Sequence, residues 1–188
     1  MKLAILAGAV LIAGSSAMAV DFRPVPTESN TVGTEQTPFA LGFLPCFQLP
    51  GDDWDVGGIR IDVLAGRHNN VYGADIGGIV NLANGETCGI ETSGIYNQIG
   101  SSSGILQIAG VANYCKDGLV GVQIAPINLT GTVKGGWQIG LFNCTEAFAG
   151  LQLGLVNYAY QAQGMQIGLL NIISDSTLPV LPIVNLGF

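Results

Sequence analysis

At 188 residues the chain is long enough for one domain and too short for two ordinary ones. Hydrophobic types make up 48% and charged types 10%, against about 25% charged in a typical soluble domain, so its surface is not an ordinary charged one. Six Lys+Arg against 13 Asp+Glu leave a net charge of −7, which argues against nucleic acid as a partner, and the long apolar runs exclude a disordered chain.

Residues 1–19 read as a secretory signal peptide. Lys2 is the charged start, Leu3–Gly14 the apolar stretch, and Ala17-Met18-Ala19 a small-x-small cleavage site. The apolar run is short for a spanning helix, which needs about 20 residues. Residues 20–38 hold Pro24, Pro26, Ser29, Asn30, Thr31 and Gly33 without periodicity, and are expected to form a flexible lead-in. Residues 39–188 are expected to form one β-repeat domain.

Within that domain the chain repeats itself. The clearest copies are Trp137–Asn143, Leu151–Asn157 and Met165–Asn171, and degenerate copies end at Asn81, Asn97, Asn113, Asn128 and Asn185. Successive Asn are separated by 16, 16, 15, 15, 14, 14 and 14 positions, a near-constant register that signals a repeat architecture. Each copy reads apolar–polar–apolar–small–apolar–x–Asn, which is period two and predicts strands. Turn-formers such as Gly100–Ser103 and Lys116-Asp117-Gly118 lie between copies.

These units resemble a family of bacterial surface repeat-containing proteins of the spirochaete type, whose members carry tandem Gly-Leu-Gln-Ile-Gly-Leu-x-Asn units. The likeness extends to Gly58–Asp62, Asn70–Gly73 and the closing Leu178–Asn185, and departs at Ala125-Pro126 and in the four cysteines. The resemblance implies a cell-surface or outer-membrane location and supplies no catalytic residues.

The favoured fold is all-β: an antiparallel up-and-down transmembrane barrel of about ten strands, one per 14–16-residue repeat. The alternative is a parallel β-solenoid with one coil per repeat. Charge placement favours the barrel. One strand face is apolar, as in Ile59, Ile61 and Val63 or Leu151, Leu153 and Leu155. The other carries Arg60, Asp62, Asp75, Gln107, Gln123, Gln138, Gln152 and Gln166, which a barrel would enclose as a polar lumen network. Acidic turns (Glu86, Asp117, Glu146, Asp175) alternate with turns lacking acids, as successive hairpins on opposite rims would. Asn157 and Asn171 resist this reading. They fall on the lipid-facing side of a barrel, whereas a solenoid would stack them in an amide ladder.

The implied partner is outer-membrane lipid, with an extracellular ligand or host surface as a further one. Cys46, Cys88, Cys115 and Cys144, exported to an oxidising compartment, are candidate disulfides of undetermined pairing. His68, the sole histidine, reads as a solvated turn residue, and a membrane-barrel hydrolase using it is the least favoured function. Glu86, Glu91 and Asp52-Asp53-Trp54-Asp55 read as solvated acids rather than ligands. With no serine-nucleophile motif, phosphate loop or Cys-x-x-Cys pair, no catalytic, cofactor or metal site is assigned. The functional expectation is a small non-enzymatic surface protein. Its alternative is a secreted or tethered solenoid that binds surfaces through a flat face.

Overall fold

The computed structural model describes residues 35–188, apart from residues 45 and 52. The expectations for residues 1–19 and most of 20–38 lie outside the described residues. Among the described residues twelve strands are formed: β1 (Gln36–Leu44), β2 (Phe47–Leu49), β3 (Asp55–Asp62), β4 (Ala65–His68), β5 (Val71–Gly77), β6 (Val80–Ser93), β7 (Tyr96–Ala109), β8 (Ala112–Ile124), β9 (Ile127–Ile139), β10 (Phe142–Leu153), β11 (Val156–Ile173) and β12 (Val180–Gly187).

The strands wind into a parallel β-solenoid of about nine turns, not a barrel. From β5 to β11 every strand pairs in parallel with its successor. Earlier, β1 pairs in parallel with β3, β3 with β5, and β4 with β6. Antiparallel pairing is confined to the two ends, where β2 lies along β1 and β12 along β11. The register explains the choice. Gln152 sits over Gln138 and under Gln166, and Asn143 over Asn128 and under Asn157. A meander would bring unlike positions together, whereas this winding stacks each repeat residue on its own kind.

A coil is not a straight strand, and the expectation of one straight strand per repeat therefore fails. In β10 the inward residues are Asn143, Thr145, Phe148 and Gln152. Their spacings of two, three and four break the strict alternation, so the chain curves. A second corner falls at Gly154-Leu155, between Gln152 and Asn157. Those two residues are five apart, which would place them on opposite faces of a straight strand. The corner inverts that parity, and both point inward, fully buried.

Small residues permit the stacking. Gly73, Gly89, Gly121 and Gly150 have φ between +125° and +138° or close to it at +143°, a region that L side chains rarely occupy. A Cβ on Gly73 would fall on the carbonyl oxygen of Gly58, and one on Gly150 on that of Gly136.

The interior is only partly apolar. Val56, Val71, Ile99, Leu119, Val133, Phe148 and Ile173 are buried in one cluster. Beside them run two columns of buried amides and, at the amino-terminal end, buried charges.

Candidate interaction surface

The inner polar columns fix which side chains remain outside. In the first, Arg60, Asp75, Glu91, Gln107, Gln123, Gln138, Gln152 and Gln166 stack in register. The Gln166 side-chain amide donates to Gln152 Oε1 at 2.7 Å, Gln152 to Gln138 at 2.7 Å, and Gln138 to Gln123 at 3.0 Å. Gln123 donates to Gln107 at 2.8 Å, and Gln107 to the Glu91 carboxyl at 2.9 Å. Every donor points toward the amino-terminal end.

The second column runs through Asn97, Asn113, Asn128, Asn143, Asn157 and Asn171, each amide donating to the next at 2.8–3.1 Å. Here the donors point toward the carboxy-terminal end. Each of these Asn except the last also donates across the coil to a backbone carbonyl, as Asn143 does to Leu153 and Asn157 to Ile167. Asn81 does the same to Thr92. Buried amides are costly unless bonded, and here neighbouring coils bond them. Asn185 is the exception among the repeat Asn. It lies in the antiparallel end strand opposite Gln166, at the head of the glutamine column.

The amino-terminal end of the glutamine column is a buried charge cluster. Arg60 donates from Nε to Asp75 Oδ1 at 2.7 Å and from a terminal nitrogen to Asp75 Oδ2. Its Nε also lies 3.1 Å from Asp62. Burial works against the Arg60 charge, but Asp75 and then Asp62 hold its pKa above the usual value. Burial pushes the Asp62 carboxyl up to about 6, partly offset by Arg60. Burial and the nearby Asp75 raise Glu91 well above the ordinary carboxylate range, opposed by Arg60 and the Gln107 hydrogen bond.

Several sequence expectations are corrected here. The polar residues expected to line a barrel lumen fill the axis of a coil stack instead. Asn157 and Asn171 do not face lipid; both are fully buried. Glu91, expected to be a solvated acid, is fully buried in the glutamine column, and its place could have been read from its 16-residue offset to Gln107. His68 is fully buried over Ala83 rather than solvated in a turn. Asp55 is buried, with its Oδ1 accepting from the Asn70 side chain at 2.9 Å.

All four cysteines are free thiols, against the expectation of disulfides. Cys88, Cys115 and Cys144 lie in β6, β8 and β10, each two coils from the next. Two coils are about 9.6 Å apart, beyond the roughly 7 Å Cα separation that a disulfide spans. Cys115 also points inward over Ile99, whereas Cys144 occupies the outward Leu129 column. Among the described residues no cluster of His, Cys, Asp and Glu could hold a metal ion.

With the amides inside, the large aliphatics lie outside. One wall carries two columns that run the full stack from β1 to β12. The first is Phe39, Ile59, Ala74, Ile90, Leu106, Val122, Trp137, Leu151, Met165 and Leu186. Beside it stand Leu41, Ile61, Ile76, Thr92, Ile108, Ile124, Ile139, Leu153, Ile167 and Val184. Ten rows spaced by about 4.8 Å make a wall roughly 43 Å long. It contains no charged residue, and Trp137 at its centre is 53% exposed.

The wall continues around the glycine corner. There Ile79, Ile95, Val111, Leu141, Leu155 and Leu169 form a further exposed apolar line. The outward charges from β6 onward lie elsewhere: Glu86, Lys116, Asp117, Lys134 and Glu146 within the long strands, and Asp175 in the turn beyond β11, all follow the asparagine column. Glu86 aligns with Ser101, Ser101 with Gly118, and Gly118 through Thr132 with Ala147, so these stretches share one edge. The acidic and non-acidic turns thus alternate along one edge and not between two rims.

No protein family, curated protein or solved structure matches this chain.

Proposed function

We propose that this chain is an exported, non-enzymatic β-solenoid that binds a surface at the cell exterior through its uncharged wall. The observation that carries this reading is the pair of apolar columns running unbroken by charge from β1 to β12. Monomeric soluble proteins rarely leave apolar patches above a few hundred Å² uncovered, and larger ones mark interaction sites. Inside, the side-chain amides of the glutamine and asparagine columns bond coil to coil, which leaves the wall as the large uncovered surface of the described residues. The signal-peptide pattern in residues 1–19 and the resemblance to surface repeat proteins support the location.

Small-angle scattering joined to retention on a phenyl-substituted resin tests this. An elongated, water-soluble particle retained through its wall is the expected result. Replacing Ile139 and Leu153 with Glu should abolish retention while the far-UV β signature persists. Retention unchanged by that double substitution overturns the reading.

A further inference from the structure

Resting on that surface-binding reading, we infer that the occupant of the wall is the zwitterionic face of a phospholipid bilayer, on which the solenoid lies lengthwise with its charged edge toward water. The shape of the apolar surface favours lipid over a second copy. It does not end with the wall; it turns the corner through Ile95, Val111, Leu141 and Leu155 and reaches Phe142, which is exposed just beyond that corner. A flat partner, including another copy of this wall, could cover one side and leave the corner wet. A fluid interface covers both.

Charge points to the lipid class. The wall has no Lys or Arg, and the opposite edge carries Glu86, Asp117, Glu146 and Asp175 against Lys116 and Lys134. An anionic surface would gain nothing from such a protein, so attachment depends on apolar burial and not on headgroup charge. Backbone chemistry permits the contact. Wall strands satisfy their N–H and C=O groups with the coils above and below, so entry to the acyl boundary strands no polar backbone along the stack. This differs from crossing the bilayer, because the charged edge stays in water.

The test uses the protein with Trp54→Phe, which leaves Trp137 as the only indole. On mixing with pure phosphatidylcholine vesicles, Trp137 emission should shift to the blue and be quenched by brominated acyl chains. Partitioning should be unaffected by raising salt. Leu141→Glu with Leu155→Glu, on the corner, should weaken partitioning about tenfold or more. Thr132→Glu, on the charged edge, should leave it unchanged, and both variants should keep the β signature.

Absence of partitioning by the folded protein overturns the inference, and resin retention in the same preparation would leave the proposed function standing. A concentration-dependent dimer that hides Trp137 without vesicle binding overturns it in favour of a second copy. Loss of resin retention as well defeats the proposed function itself. Equal weakening by Thr132→Glu also overturns the inference, because the charged edge would then be in contact.

Discussion

At the scale of single residues, the buried charges are the least ordinary feature. Arg60 faces three acids, Asp62, Asp75 and Glu91, at the foot of the glutamine column. Desolvation alone would neutralise such groups, and Arg60 compensates only part of it. The consequence for stability has a definite sign. Asp62 titrates at about 6 when folded against an ordinary 3.8, so the folded state holds its proton more tightly. This contribution is complete below the unfolded value and is lost as pH rises through about 6. The urea midpoint should therefore fall between pH 4 and 7, and Asp62→Asn, which keeps an oxygen acceptor for Arg60, should lessen that fall, with the buried Glu91 and Asp75 carrying the remainder. An equally steep profile in the variant would place the effect elsewhere.

At the scale of the strand and its turns, much was legible. Period-two patterning correctly marks strands, and the Asn spacing marks the repeat length. What alternation cannot report is strand direction, because a two-faced strand looks the same beside a parallel or an antiparallel neighbour. Parity misled as well: Gln152 and Asn157 share the inside only because the chain turns at Gly154-Leu155. The alternating acidic turns also have a second physical cause. In a parallel stack, like charges on successive coils would lie about 4.8 Å apart, and skipping a coil doubles the distance and halves the repulsion. The sign of the column glycines could be read only with the register known. Gly150 holds φ at +138°, and a Cβ there would meet the Gly136 carbonyl oxygen. Gly150→Ala should cost about 2 kcal/mol or more in a urea melt. A loss of a few tenths would mean that the coils separate easily.

At the scale of the whole described solenoid, each coil touches mainly its neighbours, so stability accumulates coil by coil. Strands β2 and β12 run antiparallel to the stack and cover part of its two open ends. Register sets the insertion length: Gln138 to Gln152 and Gln152 to Gln166 are each one coil. Duplicating residues 140–153 should give a folded protein longer by roughly 4.8 Å in scattering, with the wall extended by one row. Inserting half that length should break both amide columns and leave the protein unfolded. Equal tolerance of the two insertions would contradict a ladder-controlled register.

The two amide columns send their donors in opposite directions, and this has a bearing on inheritance. A single ladder would sum its dipoles, growing more polarised with every added rung. Here each new unit contributes one amide pointing up and one pointing down, so a taller stack is electrically no more lopsided than a short one. Unequal recombination could therefore lengthen or shorten such a gene by whole repeats without an electrostatic ceiling.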